Sequence, residues 1–195
     1  MKVLAITGGI GSGKSFIVNM FSVLGVPVYI ADDRTKSLYF TDKNLHEKLN
    51  KLFGEEIIEN GILRKEFMSN KIFNDIELLK QIEQLVHPAV IKDFLRWKEI
   101  ERHFGTHFVI FESAIFLENK TFRLLADDIL LVTAPLETRI QRVMKRDGIS
   151  KEQILLRMNN QWTENQMKKF MNYEINNDGQ TKLLPIVEQM IENYG

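Results

Sequence analysis

Residues 8–15 read Gly8-Gly9-Ile10-Gly11-Ser12-Gly13-Lys14-Ser15, the spacing G-x-x-x-x-G-K-[ST], directly after the apolar run Val3-Leu4-Ala5-Ile6. A short apolar run reads as a buried strand, and Phe16, Ile17, Met20, Phe21 and Leu24 follow with helical spacing, the context this motif requires. Between strand and helix the glycines let successive backbone N–H groups converge on phosphate oxygens without a Cβ in the way. A helix starting near Gly13 aims its dipole and unpaired amides at the same point. Lys14 reaches the terminal phosphates and the Ser15 hydroxyl suits Mg²⁺. The segment from Gly9 and Ile10 through Gly11, Ser12, Gly13, Lys14, Ser15 and Phe16 is the expected ATP site.

Outward from this loop, apolar runs recur at Val3–Ile6, Val26–Ala31, Phe108–Phe111, Ile129–Val132 and, more weakly, Tyr173–Ile175, with helical patterns between them. The alternation predicts an α/β fold with a five-stranded, mainly parallel sheet flanked by helices. Ligands on such sheets lie beyond the carboxyl ends of the strands, which directs attention to Thr7, Asp32, Glu112 and Ala134. From Thr41 to Phe104 the rhythm becomes amphipathic helix, with Leu45, Leu49, Leu52 and Phe53 on one stripe and Ile76, Leu79, Ile82 and Val86 on another. Gly54 and Asn60-Gly61 punctuate this region, and His87-Pro88 predicts a break before the helix carrying Val90, Ile91, Phe94 and Trp97. The expected organisation is one domain: a nucleotide-binding core (1–40, 105–134 and 172–195), a helical substrate-binding region (41–104) and a lid (135–161).

The chain has 195 residues, 44% of them hydrophobic, ample for one core. Acidic and basic residues number 26 each, so no global charge draws the protein to nucleic acid or an anionic membrane. Cysteine is absent, which excludes disulfides and zinc–thiolate sites. No apolar run approaches the roughly 20 residues of a membrane span, and the first residues are already strand, leaving no room for a signal peptide. The expectation is a cytoplasmic protein, a monomer or weak homo-oligomer, acting on a small molecule.

Asp32 and Asp33 stand at the end of the second run. One of them can accept a proton from an attacking hydroxyl, and an Asp here also suits the N-cap of a helix beginning near Arg34; the pair divides as Asp32 functional, Asp33 a cap. Glu112 reads equally as an acid for water-bound Mg²⁺ or a solvated strand-end carboxylate. Glu118 reads as an acid near substrate or a cap of the turn at Asn119. Arg139, Arg142 and Arg146 share one helical stripe without acidic partners at helical spacing. Guanidinium forks suit phosphate, so this stripe, with Lys145, Lys151 and Arg157, reads as a lid over ATP. His87 reads as a substrate contact or as a cap of a core turn.

Over nearly its whole length the chain resembles the dephospho-coenzyme A kinase family. The resemblance rests on an ordered set: Ile6–Ser15 (ITGGIGSGKS), Ala31-Asp32, Phe53-Gly54 with Gly61 and Arg64, Val86-His87-Pro88, Phe116-Leu117-Glu118, Arg142–Asp147 (RVMKRD), Arg157 with Gln161, and Ile175–Gly179 (INNDG). It implies ATP-dependent phosphorylation of the ribose 3′-hydroxyl of dephospho-coenzyme A. Residue by residue it implies Asp32 as base, Lys14 and Arg142 steadying the transferred phosphoryl, Arg146 on the nucleotide and Asn177 near its base. For substrate it implies Asp32, Arg64, His87, Glu118 and Arg157. The family's Asp-Ala-Asp is Ile30-Ala31-Asp32 here, which rests the proton-accepting role on Asp32. The rival enzyme is a nucleoside or nucleoside-monophosphate kinase. A GTP switch would need N-K-x-D, and Asn119-Lys120-Thr121-Phe122 lacks the Asp.

Overall fold

The computed structural model describes residues 1–73 and 75–194, which fall into two units by contact. The first comprises Met1–Ile30 with Ile100–Gly195 and holds the main sheet. Its strands are β1 (Lys2–Thr7), β2 (Val28–Ile30), β5 (Phe108–Glu112), β6 (Asp128–Thr133) and β7 (Tyr173–Asn176), in the order β2-β5-β1-β6-β7. Every pairing is parallel, as the alternation of apolar runs and helices predicts. β1 is central, and Val3 to Ile6 are all fully buried, which is why they read as an uninterrupted apolar run rather than an alternating one. The register sets Ile6 beside Glu112 on one side and beside Leu130 on the other, with Thr133 opposite Asn176 further out.

Helix α1 (Lys14–Val23) presses Ile17, Val18 and Phe21 onto this sheet, and α10 (Leu183–Tyr194) adds Leu183, Val187, Met190 and Tyr194 to the same core. Burial of each such side chain contributes about 1.5–3 kcal/mol, which anchors the first turn of α1 and with it the loop before it. Phe16, one position off this stripe, is 54% exposed.

The second unit, Ala31–Glu99, contains α2 (Ala31–Thr41), α3 (Lys43–Phe53), a hairpin of β3 (Ile58–Glu59) and β4 (Ile62–Leu63), α4 (Lys65–Phe73) and most of α5 (Ile76–His103). Asp42 caps α3 by accepting from the Leu45 N–H, Gly54 ends it in the left-handed region, and Leu45, Leu49 and Phe53 are buried as their stripe predicts. Asn60 and Gly61 both have positive φ, 50° and 75°, the backbone of a two-residue hairpin turn; strands of two residues each are too short for a sequence rhythm to announce them.

Two local expectations are corrected. No break occurs at His87-Pro88: α5 runs through Pro88 as one helix of 28 residues. Pro88 removes one N–H, owed to the Gln84 carbonyl, and the buried stripe of Ile82, Val86, Val90 and Phe94 on either side holds the helix together across that gap. Of the predicted second stripe Ile82 and Val86 are buried, whereas Ile76 is 74% exposed. Likewise α2 begins at Ala31 rather than near Arg34, so Asp33 is no N-cap. Asp32 and Asp33 both lie in the first turn, where the helix dipole favours carboxylates, and Asp33 pairs with Lys36 at 2.7 Å.

Candidate active site

Gly13 is the N-cap of α1 with φ 92°, a conformation that lets the chain turn from the loop into the helix with its amides forward. A Cβ at Gly13 would collide with Asn177 Nδ2, and one at Gly11 with the Arg139 carbonyl, so neither glycine has room for a side chain. Three alternate carbonyls of the loop each accept from a cationic side chain. Lys14 Nζ donates to Gly8 O at 2.8 Å, Arg139 Nε to Ile10 O at 2.8 Å and Arg142 Nη1 to Ser12 O at 3.3 Å. Asn177 Nδ2 also donates to Ser12 O, at 3.0 Å. Among the described residues no peptide bond is cis, and in a trans peptide N–H and C=O point in opposite directions. Holding the carbonyls of residues 8, 10 and 12 therefore turns the N–H groups of Gly9, Gly11 and Gly13 away from these three contacts, an arrangement compatible with binding an anion.

The two arginines come from α7 (Leu136–Asp147), which is followed by α8 (Lys151–Asn159), whereas Lys14 opens α1. Ile140 and Val143 pack on Ile154, with Ile10 of the loop partly buried against them, so α7 is docked through apolar contacts as well as through arginines. Gln161 Oε1, beyond α8, accepts from the Ile10 N–H at 2.9 Å. Asn177, at the end of β7, is 5% exposed, and its Oδ1 accepts from Arg142 Nη2 at 3.2 Å. The loop residues Gly9 to Ser15, Arg142 and Asn177 are thus brought together; Ser15 keeps its hydroxyl exposed in the first turn of α1.

The remaining arginines of the basic segment are not the unpartnered stripe their spacing predicts. Arg146 makes a two-point pair with Asp147, Nε to Oδ1 at 2.6 Å and Nη2 to Oδ2 at 2.9 Å, and Arg157 Nη1 lies 3.5 Å from the same carboxylate. Spacing along one stripe overlooks a partner at i+1. The hydrogen bond from Arg146 holds the Asp147 carboxyl below its ordinary range, with Arg157 adding to the effect.

Glu112 ends β5 with 8% exposure, which removes the solvated strand-end alternative. Glu118 does not cap Asn119, whose own Oδ1 caps α6 (Lys120–Arg123); Glu118 Oε1 instead accepts from the Trp162 N–H at 2.9 Å, tying down the chain beyond α8. In the second unit, Asp32 is exposed on α2, and its charge joins burial in raising the Tyr39 phenol above its ordinary range. Arg64 sits over the Phe67 ring and donates to the Glu56 carbonyl at 3.0 Å, with Glu55 at 3.3 Å. His87 is half-buried within α5, and desolvation pushes its imidazole pKa down against the opposing charge of Glu83.

Arg139 and Gln161 are the loop contacts that motif reading leaves unassigned, the first hidden in a stripe read as a whole, the second noted only as part of a pattern. Among the described residues no group of three or more His, Asp or Glu is arranged to hold a metal ion. Mg²⁺ binds with few protein ligands, retaining waters and phosphate oxygens, so a single exposed hydroxyl at Ser15 is compatible with it. No helix among these residues is long and apolar enough to cross a membrane.

The dephospho-CoA kinase family model, CoaE, matches residues 2–182. A dephospho-CoA kinase of Porphyromonas gingivalis is 38% identical over 194 residues, covering 98% of this chain and 94% of that one. One from Bacteroides fragilis is 35% identical over 188 residues, covering 96% and 90%. Among solved structures, a Thermus thermophilus protein superposes with TM-score 0.83 at 31% identity, covering 100% of this chain and 98% of that one. The dephospho-CoA kinase of Campylobacter jejuni gives 0.70 at 21% identity, covering 99% and 97%, and so shares the fold. A shikimate kinase of Acinetobacter baumannii, at TM-score 0.52 and 12% identity over 99% and 92% of the chains, shares the fold. With its phosphate loop, its parallel sheet and a family match over residues 2–182, the chain belongs to the dephospho-CoA kinase family.

Proposed function

We propose that the protein transfers the γ-phosphoryl group of ATP to the ribose 3′-hydroxyl of dephospho-CoA, giving CoA and ADP. The observation that carries this reading is the loop whose carbonyls at Gly8, Ile10 and Ser12 are held by Lys14, Arg139 and Arg142, leaving three glycine amides for phosphate. Catalysis of phosphoryl transfer is mostly positioning and charge stabilisation, and this loop supplies both. Asp32 accepts the hydroxyl proton as the new O–P bond forms, and the electron pair of the breaking bond leaves with ADP. Lys14 and Arg142 offset the charge spread over the γ-oxygens, and Arg146 and Asn177 serve the nucleotide. Arg64, His87, Glu118 and Arg157 are assigned to the acceptor. The Ser15 hydroxyl would hold Mg²⁺, which would supply neutralisation of phosphate charge.

The test measures ADP release with ATP and Mg²⁺ against dephospho-CoA, adenosine, AMP, CMP and buffer, with product mass checked. Gain of one phosphate on dephospho-CoA alone is expected. Faster turnover of AMP or a nucleoside would move the acceptor assignment to a nucleotide kinase, and ADP release without acceptor dependence would overturn kinase chemistry.

A further inference from the structure

Ile10 stands at the crest of the phosphate loop with both its backbone groups held by side chains more than a hundred residues away. Its N–H donates to Gln161 Oε1 at 2.9 Å, and its C=O accepts from Arg139 Nε at 2.8 Å. Arg139 is fitted to the loop beyond that bond. A Cβ on Gly9 would collide with its guanidinium, and one on Gly11 with its backbone carbonyl, so Arg139 packs against the glycines on either side of the residue it binds. Burial lowers its pKa, and the charge of Glu164 opposes that shift. This is a guanidinium partly withdrawn from water and committed to a backbone oxygen, not one extended toward solvent to await an anion. Its platform is firm: Ile140 and Val143 bury against Ile154, so α7 brings Arg139 to a fixed place.

We propose that Arg139 and Gln161 are positioning residues that fix the two peptide planes at Ile10 and thereby set the phosphate affinity of the loop. This rests on the reading of the loop as the ATP site. The Arg139 bond orients the Ile10–Gly11 peptide, and the antiparallel geometry of that peptide aims the Gly11 N–H into the concavity. The Gln161 bond orients the Gly9–Ile10 peptide, which keeps the Ile10 amide from turning with its neighbours. Neither side chain needs to touch phosphate. A misdirected amide forfeits a hydrogen bond to a charged group, a loss of about tenfold in affinity.

The experiment is calorimetric titration of the intact protein with tripolyphosphate and with ATP, without any acceptor present. Arg139→Ala and Gln161→Leu are each expected to weaken tripolyphosphate about tenfold while thermal unfolding stays cooperative. Gln161→Leu carries no charge change, so its affinity should keep the salt dependence of the unmodified protein. The double variant should lose less than the product of the two single losses, because both side chains hold one residue. Weakening by Arg139→Ala with full affinity in Gln161→Leu would reduce Arg139 to a plain cation and overturn the proposal; full affinity in both would overturn it too. If Arg139→Ala does not fold, Arg139→Lys keeps the charge without the fork, and full tripolyphosphate affinity there would likewise refute positioning. A protein that binds tripolyphosphate yet leaves dephospho-CoA unmodified would fail the kinase reading alone.

Discussion

Arg142 and Asn177 meet on a single oxygen: both donate to the Ser12 carbonyl, at 3.3 and 3.0 Å, and Arg142 Nη2 also donates to Asn177 Oδ1 at 3.2 Å. The three groups form a closed triangle in which the amide orients the guanidinium and both orient the loop. Asn177 lies at the end of β7, which pairs with β6 beside the central strand, so the sheet itself places the amide under the loop.

Such a triangle predicts coupling. Arg142→Ala and Asn177→Ala should each lower kcat/KM for ATP by about tenfold or more, and the double-mutant cycle should give an interaction energy of about 1 kcal/mol. Strict additivity in steady-state kinetics would show that the two side chains act separately.

Gly13→Ala should be severe for two reasons. A left-handed conformation costs an alanine about 1 kcal/mol, and its Cβ would displace the Asn177 amide. Calorimetry should show a Tm lower by about 2–4 °C for each kcal/mol lost, with ATP affinity at least tenfold weaker. Unaltered ATP binding would mean that the loop tolerates displacement of Asn177.

Asp32→Asn retains the shape of the side chain and removes the carboxylate proposed here as the proton acceptor. Turnover should fall on the order of a hundredfold or more while ATP affinity is spared, the usual size of a general-base contribution. Unchanged turnover would remove Asp32 from the mechanism.

The Asp147 carboxylate occupies the Nε–Nη2 edge of the Arg146 guanidinium, one of the two edges a phosphate could use. Asp147→Asn should therefore tighten ATP by about threefold at low salt, within the range of an exposed pair, with the gain vanishing as salt rises. Weaker ATP binding would show that the carboxylate presents Arg146 rather than competing for it.

His87 gives a pH signature. Its imidazole pKa is lowered in the folded chain, so below about pH 6.5 the unfolded chain binds a proton that the folded chain resists, and stability falls with acidification. Denaturant unfolding of His87→Gln at pH 7 and pH 5 should lose less stability across that interval than the unmodified protein. An identical loss would assign the acid sensitivity to other groups.

The phosphate loop and the strand runs were legible because their physics is local: glycines at fixed intervals, and apolar stretches buried on both faces. What the sequence concealed was long-range. Nothing in the spacing of Arg139, Arg142 and Arg146 distinguishes two guanidiniums turned to loop carbonyls from a third paired with its neighbour Asp147, since that division depends on where α7 docks. Glu118 was readable as a carboxylate but not as the acceptor for Trp162, 44 residues on. Pro88 misled because a breaker is a local signal, and the burial of Ile82, Val86, Val90 and Phe94 outweighs it. The hairpin at Ile58–Leu63 announced only its Asn-Gly turn.

The loop at the amino end is shaped by side chains as far along as Asn177, and proteins are made from the amino end at about 5–20 residues per second. A growing chain therefore carries Lys14 and Ser15 for roughly ten to thirty seconds before Asn177 exists to hold the Ser12 carbonyl. The hold on the Ser12 carbonyl is completed only once β7 and Asn177 have been made, and a fragment stopped short of β7 has the motif without that hold.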